Sequence, residues 1–259
     1  MALEKTKVFL AVTAPDGPKA QGTGLPCLCL YYRIGETGSL QRAQLQLSGR
    51  GGLMGLYEAP GLSLCQPEKL ARDIQTECAR RGYQGVVMDF PLTAEEAPRL
   101  EGLCAALQRL QVRVWLPEEL ARWGGTEAVV IAPAAVSGGV FSEAVEALCD
   151  RYGPQRLCLD VVRCCQDFPM PSYEPDGKRL TPEEFRALLQ QTGAQGFFSP
   201  QLCCKYFTYR KEDGSVHFVL FDDEDTAYAK LEHIRRAGVG QAVLLFSEWG
   251  RAAARIAGV

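Results

Sequence analysis

Residues 83–92 read YQGVVMDFPL. The run Gly85-Val86-Val87-Met88 is apolar at every position, whereas a strand with one wet face would alternate apolar with polar residues. A short, continuous apolar run is the pattern of a strand covered on both faces, as in a parallel sheet flanked by helices. The run ends on a carboxylate, Asp89, and the next position on the same side holds Pro91. Seven more runs share this pattern: KVFLAVTA (7–14), PCLCLYYRI (26–34), GGLMGLYEA (51–59), VRVWLP (112–117), EAVVIAPA (127–134), RLCLDVV (156–162) and AVLLFS (242–247).

Helical patterns separate most of these runs. QPEKLARDIQTECARRG (66–82) opens on Pro-Glu and stops on Gly. TAEEAPRLEGLCAALQRL (93–110) begins with a capping-box pair, Thr93 and Glu96. Segments 142–153 and 222–238 carry acids in front and bases or Gly behind, matching the helix dipole. Eight strands with helices between them imply an α/β fold, a (β/α)8 TIM-type barrel, expected to form a single domain over residues 1–259. The first two connections, 15–25 and 35–50, are too short for full helices. An α+β insertion is expected at 166–221, between strands seven and eight, with an antiparallel hairpin turning at Asp213-Gly214.

Composition excludes several classes of function. The 259 residues are 47% hydrophobic and 23% charged, with a net charge of −3, so one sizeable core is expected and no nucleic-acid footprint. No stretch approaches the roughly 20 apolar residues of a membrane span, and the apolar run near the start is too short for a secretion signal. The eleven cysteines lie mostly inside apolar patterns, as free thiols do in a reducing compartment. There is no C-x-x-C, and His217 and His233 are the only histidines, so neither a metal nor another cofactor is expected. The vicinal pairs Cys164-Cys165 and Cys203-Cys204 read as alternate faces of a strand.

Residues 204–246, CKYFTYRKEDGSVHFVLFDDEDTAYAKLEHIRRAGVGQAVLLF, resemble the end of a family 18 glycoside hydrolase, in its spore-cortex and cell-wall glucosaminidase branch. There, an aromatic-acidic segment closes an α+β insertion, a helix of the S-x-x-x-K-L type follows, and strand eight completes the barrel. LPCLCLYYRIGETGSL (25–40) resembles that branch's second strand, and RLTPEEFRALLQQTGAQ (179–195) the opening of its insertion. The resemblance implies carboxylates alternating along strand four, the last a Glu that protonates the glycosidic oxygen. The Asp two residues before it orients the substrate's own acetamido group, the substrate-assisted variant of glycoside hydrolysis. Laid on YQGVVMDFPL, this pattern gives Gly85 for the family's Gly, Val87 at the outer acidic position, Asp89 for the orienting Asp and Pro91 for the acid. The Met-x-Tyr-Asp of strand six falls on Ile131, Ala132, Pro133 and Ala134. The tryptophan of strand eight falls on Leu245 or Phe246. A degenerate site is therefore expected.

Other rim carboxylates are Glu58, Glu118, Glu119, Asp160, Asp167 and Glu248. Sugar rings stack on aromatic faces, so Tyr57, Phe90, Trp115, Tyr173, Tyr206, Phe246 and Trp249 are candidate platforms; Trp115 reads as core. The expected ligand-binding set is Asp89, Tyr57, Glu58, Phe246 and Trp249. Three readings stay open. The first is a non-catalytic barrel binding an N-acetylglucosamine-containing glycan or a protein partner. The second is an active hydrolase with Glu118 or Glu58 as a relocated acid, and the third a pure scaffold. A cytoplasmic setting, or a spore-associated one in a sporulating bacterium, is expected from the absent signal and the resemblance.

Overall fold

The computed structural model describes residues 6–44, 47–136, 138–171 and 177–258. The apolar runs form eight strands: β1 (Lys7–Thr13), β2 (Cys27–Ile34), β3 (Leu53–Glu58), β4 (Gly85–Met88), β5 (Arg113–Pro117), β6 (Val129–Pro133), β7 (Leu157–Asp160) and β8 (Gln241–Leu245). Each lies parallel to the next. β8 then pairs with β1, Val243 opposite Phe9, so the cylinder closes and these strands leave no free edge.

Side chains alternate between the barrel interior and the surrounding helices. Every strand contributes to an interior cluster: Phe9 and Ala11 from β1, then Leu28, Leu53, Val87, Trp115, Val129, Cys158 and Val243 from β2 to β8 in turn. Trp115 is fully buried there, and its Nε1–H donates to Gln241 Oε1 at 2.7 Å. The barrel is thus filled across its middle, and a ligand would have to sit above this layer, at the carboxyl ends of the strands.

The helices are α1 (Pro67–Arg81), α2 (Ala97–Arg109), α3 (Phe141–Tyr152), α4 (Pro182–Thr192) and α5 (Glu224–Arg236), with shorter helical turns elsewhere. α1 opens at Pro67, where a missing N–H is harmless, and ends at Gly82 in the left-handed region at φ +76°. Its Leu70, Ala71, Ile74 and Cys78 are buried. α2 starts at Ala97, later than the Thr93–Glu96 pattern suggests. The Glu96 carboxylate does accept from the Thr93 backbone N–H. It also accepts from the Thr93 hydroxyl, which engages that hydroxyl as a donor to the same carboxylate.

The first two connections are short, as expected. Between β1 and β2 there is only a 3-10 turn (Ala14–Asp16) and a four-residue helix (Gly17–Ala20). After β2 the chain folds back as a short antiparallel strand, Leu40–Arg42, pairing Ile34 with Leu40.

Between β7 and β8 stands a second, antiparallel sheet of five strands. In spatial order they are Lys178–Arg179, Cys165–Met170, Val216–Phe221, Cys204–Arg210 and Phe197–Ser199. Cys204–Arg210 and Val216–Phe221 form the hairpin, with Gly214 in its turn at φ +87°. α4 covers one face, packing Phe185, Leu188 and Leu189 on Leu180, Phe207, Val219 and Phe221. Cys164 and Cys165 lie in hydrophobic clusters on opposite faces of this sheet, and Cys203 and Cys204 likewise divide between two clusters. All eleven cysteines are free. Burial pushes the Cys164 and Cys204 thiols up to about 12, so they behave as packing groups.

Where the insertion joins α5, Asp222 and Lys230 form a buried ion pair at 2.6 Å, their side chains 0% and 2% exposed. Asp222 also accepts from the Cys164 N–H and the Thr226 hydroxyl. The residues that match the family's helix pattern thus fasten the insertion to the barrel.

Candidate site at the barrel mouth

Asp89 follows Gly85 and Val87 on the inward side of β4, and its backbone N–H still donates to Leu56 O at 2.9 Å. The residue is open to solvent on one side, while the walls around it partly desolvate its carboxyl. That desolvation, and secondarily the Glu119 charge, hold it above the ordinary range. Asp160 ends β7 in step with the inward Cys158, beside Pro133 of β6 and Val243 of β8. The residue is half-buried. Burial, then the charges of Glu248 and Asp89, push it up to about 7. Among the described residues, neither the Asp89 nor the Asp160 carboxyl accepts a hydrogen bond from a side-chain or backbone donor.

A cleft of about 380 Å³ opens beside Asp89, lined by Phe90, Pro91, Leu92, Glu119, Leu120 and Trp123. Pro91 is exposed in its wall, at the position the family resemblance assigns to the acid. Glu119 enters the cleft from the 3-10 turn Glu118–Trp123 that follows β5. Trp123, half-buried with the Arg122 guanidinium 3.9 Å from its ring centre, is an aromatic wall absent from the expected binding set. Its place in the turn directly after a barrel strand was the available signal. A larger hollow of about 820 Å³ lies on the insertion, between α4 and the hairpin, lined by such residues as Leu188, Thr192, Tyr209 and Lys211. It holds none of the rim carboxylates.

The other expected residues divide. Tyr57 follows Leu53 and Gly55 in the inward register of β3 and is 39% exposed. Glu58, one step out of that register, pairs with Arg33 at 3.5 Å. Glu118 accepts from Arg151 (3.0 Å) and the Tyr152 hydroxyl (2.9 Å) at the end of α3. Phe246 and Trp249 are buried, 7% and 5% exposed, and the Trp249 Nε1–H donates to Val161 O. The inward residue at the top of β8 is Leu245, packed on the interior cluster. Glu248 accepts from the Arg163 N–H (2.9 Å) and from Arg179 (2.7 Å), tying the insertion to the rim. Asp167 is buried in the insertion, bonded to His217 and Tyr209. Phe90 and Trp115 are buried, Tyr206 belongs to the insertion sheet, and Tyr173 lies outside the described residues.

Among the described residues, no three His, Cys, Asp or Glu side chains are grouped to hold a metal ion. No helix among them is long and apolar enough to cross a membrane.

No family model and no curated protein matches the sequence. Solved structures do match the fold. The spore cortex-lytic enzyme SleL of Bacillus cereus superposes with a TM-score of 0.69 at 12% identity, covering 99% of this chain and 74% of the other. A chitinase from Chromobacterium violaceum gives 0.68 at 14% identity, covering 98% of each chain. A mutant family 18 chitinase from Cycas revoluta, in complex with a tetramer of N-acetylglucosamine, gives 0.64 at 11% identity, covering 97% of this chain and 98% of the other. With its closed eight-stranded barrel and the α+β insertion before β8, the chain has the fold of the family 18 chitinases and spore cortex-lytic enzymes.

Proposed function

We propose that the barrel mouth binds an N-acetylglucosamine-containing glycan and leaves its glycosidic bonds intact. The observation that carries this reading is Asp89 standing inward at the end of β4 while Pro91 occupies the acid position. Proline has no proton to give, and general acid catalysis is worth about 10² to 10⁴ in rate. Pro133 and Ala134 replace the Tyr and Asp of strand six, and Leu245 stands inward where the family resemblance places tryptophan. Tyr57 and Trp123 supply aromatic surface for stacking a sugar. A relocated acid finds little support, because Glu58 is paired with Arg33 and Glu118 with Arg151 and Tyr152. The likeness to a spore cortex-lytic enzyme makes peptidoglycan fragments worth testing beside chitin oligomers.

Calorimetric titration of chitin oligomers and peptidoglycan fragments into wild type and Asp89→Ala, with products followed chromatographically, tests the reading. Saturable binding that weakens about tenfold in Asp89→Ala, a loss of roughly 1.4 kcal/mol, is expected without cleavage. Released sugar would overturn the non-catalytic assignment, and absence of any binding would leave the barrel as a scaffold.

A further inference from the structure

We propose that the insertion binds an extended peptide of another protein as an added strand along residues 208–210, with apolar side chains turned to α4 and an acidic one beside Arg210. The site is separate from the barrel mouth and does not rest on the glycan reading. The first ground is a bare strand edge. The strand Cys204–Arg210 is paired with Val216–Phe221 through to Arg210 on one side, but with Phe197–Ser199 only as far as Tyr206 on the other. Residues of an antiparallel pair alternate between bonding each other and turning their N–H and C=O groups away. Lys211 N–H donates to Ser215 O at 2.9 Å, so by this alternation Tyr209 bonds His217, whereas Thr208 and Arg210 turn their groups to the unpaired side. Tyr206, in the same phase, is the residue that faces Phe197. Among the described residues, no loop or side-chain group bonds to the outward N–H or C=O of Thr208 or Arg210.

The second ground is the hollow of about 820 Å³, which lies against this edge, with Leu188 and Thr192 of α4 as its far wall. A chain entering it antiparallel to Cys204–Arg210, as every paired strand of this sheet runs to its neighbour, can exchange backbone bonds with Thr208 and Arg210. Its side chains would alternate between two faces. One set meets Leu188, Ala194 and the Tyr209 ring, the partly covered margin of the apolar cluster under α4. The other set lies on the face that carries the exposed Thr208 and Arg210 side chains. The third ground is charge. Arg210 and Lys211 form no ion pair among the described residues. Of the nearby acids, Asp213 is held within its own turn by the Ser215 N–H and hydroxyl, and Glu212 stands in that turn, beyond the bare edge. An acid opposite Arg210 on the added strand completes a cross-strand pair of opposite charge. A second copy pairing by the same edge about a two-fold axis would bring its own α4 towards this hollow, on the same face of the joined sheet. A single extended chain brings no such obstacle.

The test is heteronuclear NMR of the isotope-labelled protein, titrated with a capped synthetic peptide of sequence SVEVEVS. The Thr208 and Arg210 amide signals are expected to shift, and their hydrogen exchange to slow about tenfold or more at saturation. Lysine in place of the peptide's glutamates should weaken binding about tenfold, and Arg210→Glu should reverse that preference. A peptide N-methylated at its glutamates, whose amides face the edge in antiparallel addition, should not bind. Thr208→Pro removes an outward donor without touching the ladder to Val216–Phe221, and should weaken binding at least about tenfold. Should that variant fail to fold, the N-methylated peptide on wild type decides. Undiminished binding of the N-methylated peptide, or shifts confined to residues away from 208–210, would overturn the inference. Absence of binding at millimolar peptide would also overturn it, leaving the two cations as guards of a bare edge. A concentration-dependent dimer that Thr208→Pro dissolves would overturn it in favour of a second copy.

Discussion

Gly85 sets the geometry beneath the mouth. A Cβ at this inward position would collide with the Arg113 carbonyl and come within 2.5 Å of the Trp115 ring. Backbone cannot move aside as a flexible side chain can, so Gly85→Ala is expected to destabilise the barrel by at least about 3 kcal/mol, measured by urea denaturation. Asp160 offers a subtler test. Its folded carboxyl titrates at about 7, above the ordinary 3.8, so the folded state holds this proton more tightly than the unfolded chain does. The associated stability is complete below about pH 4 and is lost as pH rises through about 7, a span worth roughly 4 kcal/mol. Asp160→Asn should therefore flatten the stability profile between these limits relative to wild type, and parallel profiles would refute the assignment. The acid was legible in RLCLDVV, but its orientation was not: only the strand register puts Asp160 in step with Cys158 and turns it inward.

The elements themselves were largely legible, because near-continuous apolar runs and capped amphipathic segments are local signals. Partners distant in sequence were not. The α5 pattern puts Lys230 on the packed face with Ala227 and Ile234, but only the fold shows that Asp222 is buried against it there. The same limit governs Glu118 and Glu119. Pro117 ends β5 in the inward register, so Glu118 falls outward onto α3, and the following 3-10 turn brings Glu119 back to the cleft. For Lys230 the energetic consequence is calculable. Lys230→Met leaves the Asp222 charge buried without its cation, which costs about 3 to 5 kcal/mol. Adding Asp222→Asn should restore much of that loss, because the uncompensated charge is gone. Denaturant midpoints of the single and double variants check both steps, and an additive double variant would mean the two side chains do not act as a pair.

Barrel closure belongs to the whole molecule, and no single segment of sequence encodes it: β1 and β8 meet across more than two hundred residues, Lys7 opposite Gln241. The mouth is likewise a composite of β3, β4, β7 and the turn after β5, and this decides what one substitution can restore. Pro91→Glu would return a carboxylic acid to the position the family resemblance assigns to it. The ladder, however, ends at the Asp89 N–H bond to Leu56 O, and Phe90 to Leu92 run beyond the strand as cleft wall. A glutamate at 91 would thus lack the strand pairing that fixes a catalytic side chain, and Pro133 and Ala134 would still leave the acetamido group without partners from β6. Pro91→Glu is therefore expected to release no more product than wild type from a fluorogenic N-acetylglucosamine trimer. Turnover from that single change would mean that the mouth already holds the substrate in a reactive pose, and that the missing proton was the one thing separating this barrel from a hydrolase.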